Sequence, residues 1–251
     1  MQSAFVGQKI MLEKTFHVKS YDVYPNSTIK PSAIQHYMQQ FAREDCDNLG
    51  CTYINMRDVN MVFVLTKMGI KVEEPVFAYD ELTVKTFNNR ITGITFEREF
   101  EFFKNGKKVI HATTQWVIIK YDNRQIVRPR DFPFEIPSYN LDCGSLLLPR
   151  SIDVSKAELV GERVVRLSDL DENDHLNNCV YSDIFLDVVP YDRKTDYVKE
   201  VNMLFRQEAR IDEVLSLSTA TVDGKTVISA YNKSENKPCF EAECVLGKIN
   251  D

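Results

Sequence analysis

Apolar residues recur at helical spacing in two separate stretches of the chain. The first stretch opens at Pro31, a residue type favoured in the first turn of a helix, and closes at Gly50, a type favoured just beyond a helix. The second stretch covers 178–189, with Asn177 or Asn178 as its N-cap. The apolar positions are Ile34, Tyr37, Met38, Phe41 and Ala42 in the first stretch, and Val180, Ile184, Phe185 and Val188 in the second. The pattern predicts two amphipathic helices.

Four strand-like segments follow each predicted helix. They are bounded by turn residues, and two pairs of them are joined by hairpin dipeptides, Asn105-Gly106 and Asp223-Gly224. The predicted strands are 61–72, 81–88, 95–103 and 108–120 in the first half, and 197–206, 214–222, 226–232 and 238–248 in the second. The same order of elements at a spacing of roughly 140 residues indicates two similar domains and not a solenoid.

One long helix is the obvious element to cover the apolar face of each antiparallel sheet, so the pattern predicts an α+β fold. The predicted N-terminal domain covers 1–132 and the predicted C-terminal domain covers 151–251. The linker between them is predicted at 133–150, where Pro133, Pro137, Gly144 and Pro149 occur with little periodicity.

A dense cluster of polar residues lies between a predicted strand at 162–167 and the second helix. Its sequence is Asp-Leu-Asp-Glu-Asn-Asp-His-Leu-Asn-Asn, over 169–178. General acid–base chemistry needs such a convergence of carboxylate, carboxamide and imidazole groups, and the free N–H groups of a helix N-terminus favour negative charge. A polar loop with an N-cap accounts for one such residue but poorly for the whole set. The cluster is therefore a candidate active site.

The same stretch, extended to Tyr181, resembles the Asp-Leu-Asp-x-Asn-x-His-x-Asn-Asn-x-x-Tyr signature of the plant and bacterial acyl-acyl carrier protein (ACP) thioesterases. A second stretch, Phe205-Arg206-Gln207-Glu208-Ala209, resembles that family's aromatic-Arg-Arg-Glu-Cys element. Elsewhere the resemblance is diffuse. It implies two tandem hotdog domains, each an antiparallel sheet wrapped around a long helix. It also implies hydrolysis of fatty acyl-ACP thioesters to free fatty acid and carrier protein, a step of fatty acid biosynthesis and lipid metabolism.

The resemblance further implies the residues that carry the reaction. They are Asp171, Asn173, His175 and Glu208, which would activate a water molecule and position the thioester. Ala209 stands where many members of the family have cysteine, which argues against an obligatory thiol nucleophile. Which of the carboxylates and the imidazole acts as base stays open, because neighbouring acidic groups titrate as a coupled set.

The partner implied by the resemblance is an acyl carrier protein with an acyl-phosphopantetheine arm. Arg124, Arg128 and Arg130 cluster after the last strand of the first domain and form a candidate docking patch for this acidic partner, with a solvated loop as the alternative. In the first half, the segment 24–28 takes the place of the polar cluster and offers no acid–base pair. One active site per chain is therefore expected. The first domain is then free to hold the acyl chain, with the first helix and the strand segment 61–65 as candidates and ordinary core as the alternative.

Composition narrows the class of protein. The length of 251 residues suits either one large domain or two of ordinary size. A content of 27% charged and 43% hydrophobic residues is typical of a soluble globular chain. A net charge of −6 makes nucleic acid an unexpected partner. No apolar run is long enough to insert in a membrane, and the segment 1–16 lacks the pattern of a secretion signal, so a cytoplasmic location is expected.

Six cysteines are scattered along the chain. The spacing of Cys46 from Cys51, and of Cys239 from Cys244, is at the loose end of zinc-site spacing. Free thiols are the expected state, and neither a metal nor a cofactor is expected.

Two other functions stay open. An acyl-CoA thioesterase or another hotdog enzyme would use the same chemistry on a different carrier. A catalytically silent acyl-binding module would need no acid–base set, which disfavours it. Neither the acyl chain length and saturation nor the oligomeric state, a homodimer included, follows from the sequence.

Overall fold

The computed structural model describes residues 11–250. Residues 1–10, which belong to the predicted N-terminal domain and to the segment 1–16 that lacks a secretion-signal pattern, lie outside the described residues, as does residue 251. Within the described range the helices are α1 (Pro31–Asn48), α2 (Tyr53–Asp58) and α3 (Asn178–Leu186).

The strands of the described range form one antiparallel sheet. They are β1 (Leu12–His17), β2 (Met61–Val72), β3 (Glu81–Thr92), β4 (Thr95–Lys104), β5 (Lys107–Lys120), β6 (Ile126–Val127), β7 (Glu158–Val164), β8 (Asp196–Phe205), β9 (Val214–Val222), β10 (Lys225–Asn232) and β11 (Lys237–Lys248). Their order across the sheet is β1-β3-β4-β5-β2-β8-β11-β10-β9-β7, and β6 pairs with β5. First-half strands therefore occupy one side of the sheet and second-half strands the other.

The two halves meet where β2 pairs with β8, and Gly69 faces Asn202 near the middle of this junction. Helices α1 and α3 pack against each other and against one face of the sheet. Between the helices, Nε2 of Gln35 donates a hydrogen bond to Oγ of Ser182 over 2.7 Å. One continuous core thus includes Phe100 of β4 and Phe240 of β11. Each half is an antiparallel sheet wrapped around one long helix, and this confirms the predicted tandem hotdog arrangement.

Both predicted helices are present, with small differences at their ends. Helix α1 begins at Pro31 as predicted. Helix α3 begins at Asn178, and the side chain of Asn177 caps it by accepting a hydrogen bond from N–H of Cys179 over 2.9 Å. The prediction extended this helix to 189, whereas it ends at Leu186. Pro190 follows shortly afterwards and disfavours helical backbone in the residue before it.

Other differences are confined to short elements. Helix α2 and strand β6 were not predicted, and both are too short for a clear periodic pattern. The strand predicted at 162–167 is β7, and a single 3₁₀ turn, Leu167–Asp169, follows it. Both hairpin dipeptides form the predicted turns, with Asn105 and Asp223 at φ 52°.

Residues 133–150, which we call the strap, contain neither helix nor strand. The strap begins on the helix side, where Ile136 lies near Cys46 of α1, and from about residue 139 it crosses the opposite face of the sheet. Nδ2 of Asn89 donates a hydrogen bond to the carbonyl of Leu141 over 3.1 Å, and Nζ of Lys67 donates to that of Pro149 over 3.0 Å. Leu146 and Leu148 lie over Gly69 at the junction of the halves, where the absence of a side chain makes room for them. The domain boundaries themselves stay a prediction.

Within residues 11–250, no helix has both the length and the apolar character needed to cross a membrane. The cytoplasmic location stays a prediction.

Candidate active site

A tight turn shapes the polar cluster before α3. N–H of Asp171 donates a hydrogen bond to the carbonyl of His175 over 2.8 Å, and N–H of Asp174 donates to the carbonyl of Asp171 over 3.1 Å. Asp174 has a φ of 62°, a left-handed conformation that aspartate tolerates better than most residues. Oδ1 of Asp171 accepts a hydrogen bond from N–H of Asn173 over 2.8 Å. Asp171 therefore has a structural role in the turn as well as a place in the site.

Glu208 reaches this turn from the segment that follows β8. N–H of Leu176 donates a hydrogen bond to the carbonyl of Ala209 over 2.8 Å, which fixes the two segments side by side. Nε2 of His175 then lies 3.2 Å from Oε2 of Glu208. Asp171, Asn173, His175 and Glu208 all line one cavity of about 420 Å³, which we call the catalytic cavity. The structure thus brings together the four predicted catalytic residues.

The first half supplies the opposite wall of the catalytic cavity. Val62, Phe63, Val64 and Leu65 of β2 line it, as does Ile119 of β5. Arg124 lies in the turn between β5 and β6, and its guanidinium forms an ion pair with the Glu208 carboxylate. The hydroxyl of Tyr53, in α2, donates a hydrogen bond to Oδ1 of Asn173 over 3.3 Å. The site is therefore built at the boundary of the two halves.

The three arginines of the predicted docking patch have different surroundings. Arg124 lines the catalytic cavity and pairs with Glu208. Arg128 and Arg130 are exposed, and both contact the carboxylate of Asp131, at 2.9 Å and 3.8 Å. Arg124 therefore belongs to the wall of the cavity, whereas Arg128 and Arg130 lie on the exposed surface. Carrier docking by these residues stays a prediction.

His175 is largely buried, and burial lowers the pKa of its imidazole below the usual value. The cations of Arg210 and Arg124 lower this pKa further, while the carboxylates of Asp171 and Asp174 oppose the shift. Nε2 has no hydrogen-bond partner among the described residues, because its direction does not suit a hydrogen bond to the nearby Glu208. The imidazole is therefore mainly neutral near pH 7 and free to accept a proton.

The thiols near the site do not suit nucleophilic catalysis. Ala209, at the position of the family's cysteine, is fully buried in the core. Sγ of Cys239 lies 3.4 Å from the hydroxyl of Tyr181, and burial raises the pKa of Cys239 to about 11. Burial also raises the pKa of Cys179. Because the thiolate is the reactive form, neither cysteine is activated for attack.

A second cavity of about 200 Å³ adjoins the first and extends into the first half; we call it the apolar cavity. The two cavities share the lining residues Val62, Phe63, Asp171, Asn173 and Asn178. Its other lining side chains include the apolar Cys51, Met56, Met61, Phe96, Trp116 and Ile136, with the polar or charged Gln39, Arg43, Arg57, Asn88 and Glu172 around them. Arg98 also lines it, and Nη1 of this arginine pairs with Oδ2 of Asp45 in α1 over 2.8 Å. A continuous space therefore leads from the polar site into the first half.

The first half has a turn of the same construction at 24–28. N–H of Tyr24 donates a hydrogen bond to the carbonyl of Thr28 over 2.9 Å, and Ser27 has a φ of 66°. Tyr24, Asn26 and Thr28 stand at the positions that Asp171, Asn173 and His175 have in the second half. The ring of Tyr24 packs on that of Tyr191, with centroids 5.1 Å apart. This turn has no acid–base pair, in agreement with the sequence prediction.

Sequence reasoning missed Tyr53, Arg57, Tyr121 and Arg210 at the site, and it assigned Arg124 to carrier docking alone. Tyr53 and Arg124 come from the first half, far along the chain from the motif. Arg210 lies two residues after Glu208, and this closeness in sequence was the one feature that could have indicated its place near the site. The guanidinium of Arg57 lies 3.2 Å from the ring centroid of Tyr121, which also lines the catalytic cavity.

Two family descriptions match the chain. Residues 9–132 match the acyl-ACP thioesterase N-terminal domain, and residues 153–247 match the acyl-ACP thioesterase C-terminal domain. Among curated relatives, an oleoyl-acyl carrier protein thioesterase from Arabidopsis thaliana is 23% identical over 239 residues, which cover 86% of this chain and 65% of the relative. A dodecanoyl-[acyl-carrier-protein] hydrolase from Cinnamomum camphora is 23% identical over 231 residues, covering 86% and 60%. The chain thus spans less than two thirds of the length of these relatives.

Solved structures show the same fold. An acyl-ACP thioesterase from Bacteroides thetaiotaomicron superposes with a TM-score of 0.82 at 18% identity, over 94% of this chain and 98% of the other. The 12:0-ACP thioesterase from Umbellularia californica superposes with a TM-score of 0.79 at 19% identity, over 95% and 97%. At these identities the likeness demonstrates the fold.

Proposed function

Because the chain belongs to the acyl-ACP thioesterase family, we propose that it hydrolyses fatty acyl-ACP thioesters to free fatty acid and carrier protein, as a step of fatty acid biosynthesis. One observation carries the proposal. Asp171, Asn173, His175 and Glu208 converge on a polar cavity that continues into an apolar one. A thioester with a long apolar acyl chain is the substrate that such a pair of cavities suits.

The reaction needs a water molecule, a base and donors for the carbonyl oxygen. The water oxygen bonds to the carbonyl carbon while a neighbouring base takes one of its protons. Nε2 of His175 and Oε2 of Glu208 lie 3.2 Å apart, so a water molecule in contact with both atoms could pass its proton to either. Collapse of the tetrahedral intermediate breaks the carbon–sulfur bond, and the leaving sulfur takes up a proton from the protonated base.

Asn173 and Asp171 hold the reactants in place. The Tyr53 hydroxyl occupies Oδ1 of Asn173, which turns the amide so that Nδ2 is the group left to contact substrate. Oδ1 of Asp171 supports the turn, and its carboxylate raises the pKa of His175 against the effect of burial. Asp171 thereby favours the imidazolium that forms when His175 takes the proton.

The acyl chain occupies the apolar cavity in the first half. Burial of methylene groups against Met56, Met61 and Phe96 supplies the binding free energy, at about 0.8 kcal/mol for each CH₂ group removed from water. On the side of α1 and β4, the apolar lining of the cavity ends at the buried ion pair of Arg98 with Asp45. The phosphopantetheine arm enters the catalytic cavity near Arg124 and Arg210, whose charges attract its phosphate.

The decisive experiment is a comparison of acyl carriers. Purified protein is assayed for release of free thiol from a panel of acyl-ACP species of different chain length, and from the matching acyl-CoA thioesters. The proposal predicts a higher kcat/KM for acyl-ACP at the preferred length. Equal or better turnover of acyl-CoA would favour an acyl-CoA thioesterase. Tight binding of acyl-ACP without thiol release would identify a silent acyl-binding module.

A further inference from the structure

A buried polar cluster lies on the face of the first-half sheet that is opposite the helices. On the inner face, Phe100 of β4 and Ala112 of β5 belong to the core around α1. Their chain neighbours Glu99, His111 and Thr113 point to the other side, because side chains alternate along a strand. All three are at most 4% exposed. The alternation of side chains along β4 and β5 thus buries the Glu99 carboxylate and the His111 imidazole at a place outside the active site.

The strap covers this cluster. N–H of Leu146 donates a hydrogen bond to Oγ1 of Thr113 over 2.9 Å. Cys143, three residues earlier, has its Sγ 3.5 Å from Oγ of Ser145 and 3.5 Å from Nδ2 of Asn89. Its thiol therefore faces the sheet and approaches the carboxylate and the imidazole from above.

Three types of metal-ligating atom meet at this point. Oε2 of Glu99 lies 2.9 Å from Nε2 of His111 and accepts a hydrogen bond from Oγ1 of Thr113 over 2.8 Å. One ligand atom each from Glu99, His111 and Cys143 lie within 4.8 Å of one another. The remaining oxygen of Glu99, Oε1, is buried and has no hydrogen-bond partner in the described part of the chain. A buried carboxylate oxygen without a partner is costly, and a cation would satisfy it.

We infer that Glu99, His111 and Cys143 form a second site, which binds one Zn²⁺ ion between the sheet and the strap. Thiolate, imidazole and carboxylate are the ligands that Zn²⁺ takes in proteins. Zinc bonds of about 2.0–2.3 Å at tetrahedral angles place ligand atoms about 3.3–3.6 Å apart. The Glu99–His111 pair, now 2.9 Å apart, must therefore widen slightly, and the longer separations within the 4.8 Å limit must shorten by about 1 Å. The fourth coordination position of the ion is taken by a water molecule or by the hydroxyl of Ser145.

The charges of this site balance. A Zn²⁺ ion with one thiolate, one carboxylate and a neutral imidazole leaves no net charge, which suits a buried position. Binding releases the proton of the Cys143 thiol to water. Lys108 is already engaged, since its Nζ lies 2.9 Å from Oε1 of Glu101. The Lys108 ammonium group is therefore paired with Glu101 and does not supply the positive charge that a metal ion would bring to Glu99.

Zinc at this position would fasten the strap to the first half. Hydrogen bonds already hold this part of the strap: the Asn89 side chain bonds both the carbonyl and the N–H of Leu141, Thr113 accepts from N–H of Leu146, and Nζ of Lys108 donates to the carbonyl of Cys143 over 3.4 Å. The ion would add a direct link through the Cys143 side chain. The strap is the covalent connection between the two halves, and beyond Cys143 it passes over their junction at Gly69. The ion would thus order the connection without contact with the catalytic residues.

The test is metal binding by the full-length protein. The protein is freed of metal by dialysis against a chelator and titrated with Zn²⁺ against a chromophoric competitor. We expect one ion per chain. Substitution of Co²⁺ should give a thiolate-to-cobalt charge-transfer absorption, which requires a cysteine ligand. Zinc should also slow the cleavage of residues 133–150 by chymotrypsin.

Matched variants locate the site. Cys143→Ser and His111→Gln should each weaken zinc binding by at least about a hundredfold, and Cys143→Ser should abolish the charge-transfer band. Cys46→Ser, which removes a thiol elsewhere in the first half, should keep both properties. Circular dichroism spectra establish that each variant is folded. The inference is wrong if the wild-type protein takes up no zinc in this titration, or if a folded Cys143→Ser variant binds it as tightly as the wild type.

Discussion

The guanidinium of Arg124 in the first half forms an ion pair with the carboxylate of Glu208 in the second. The partners are close in space because the turn after β5 and the segment after β8 meet at the same end of the β2–β8 junction. The contact joins a residue of the predicted docking patch to a residue of the predicted catalytic set. It implies that Arg124 acts on the chemistry and not only on the approach of the carrier.

Arg124→Gln is expected to reduce kcat about tenfold or more on every substrate, because Glu208 loses the cation that orients it. Because the ion pair acts on Glu208, kcat should fall for a small acyl thioester without a carrier as well as for acyl-ACP, and any additional loss on acyl-ACP would measure the attraction of Arg124 for the phosphate of the arm. Steady-state kinetics on both substrates measures it. A loss of kcat on acyl-ACP alone would indicate that Arg124 takes part in carrier docking and not in the chemistry.

The double variant Arg128→Glu and Arg130→Glu tests docking separately. If the two exposed arginines meet the acidic carrier, charge reversal should raise KM for acyl-ACP severalfold and leave the small acyl thioester unaffected. The preference of the wild-type enzyme for acyl-ACP should also weaken as salt is added, because ions screen exposed charges. Equal kinetics of the variant and the wild type on acyl-ACP would place docking elsewhere.

Glu208→Gln should lower kcat at least about a hundredfold, the scale expected for an acid–base group. Asp171→Asn and His175→Gln should have losses of similar size. Glu162→Gln is a suitable control, since this exposed glutamate pairs with Lys233 away from the cavities. Thermal unfolding establishes that the variants are folded. Near wild-type turnover of Glu208→Gln would falsify its role as an acid–base group.

Ala209→Cys restores the cysteine of the related family element. We expect no gain in turnover, because position 209 is fully buried in the core and does not line the catalytic cavity. Mass spectrometry of the variant during turnover should find no acyl group on residue 209. An acyl-cysteine at this position would mean that the site supports covalent catalysis and would contradict direct attack by water.

The lowered pKa of His175 predicts the pH dependence of the reaction. The acid limb of kcat/KM should lie below pH 6.5, approximately the usual histidine value. Arg210→Gln removes one cation that lowers this pKa, so both the acid limb and the imidazole titration observed by NMR should move to higher pH. Arg166→Gln, which removes an exposed arginine paired with Asp212, should leave both in place.

The same shift affects folding. Because the pKa of His175 is lower in the folded than in the unfolded chain, the unfolded chain binds more protons between the two values. The contribution of neutral His175 to stability is therefore fully present above about pH 6.5 and is lost as the pH falls through the folded pKa. Thermal unfolding of His175→Gln should show a shallower loss of Tm with acidification than the wild type.

The sequence predicted most of the fold because its signals are local. Pro31 and Asn177 mark the starts of the long helices, and Asn105 and Asp223 mark hairpin turns. The positions of Asp171, Asn173 and His175 within one turn also followed from local order. The contact of Arg124 with Glu208 did not, since it depends on the path of the chain through the whole sheet. The buried cluster of Glu99 and His111 was missed because each lies in a strand with no sequence neighbour to suggest a partner.

The turns at 24–28 and 171–175 share a backbone hydrogen-bond frame but differ in every side chain except an asparagine. A symmetric dimer of identical chains must change both copies of a site together. Two copies joined in one polypeptide are free of that constraint, so one can lose its reactive groups while its backbone still supports the fold. In this chain the two copies serve different ends: the turn at 24–28 packs Tyr24 on Tyr191, while the turn at 171–175 places Asp171, Asn173 and His175 on the catalytic cavity.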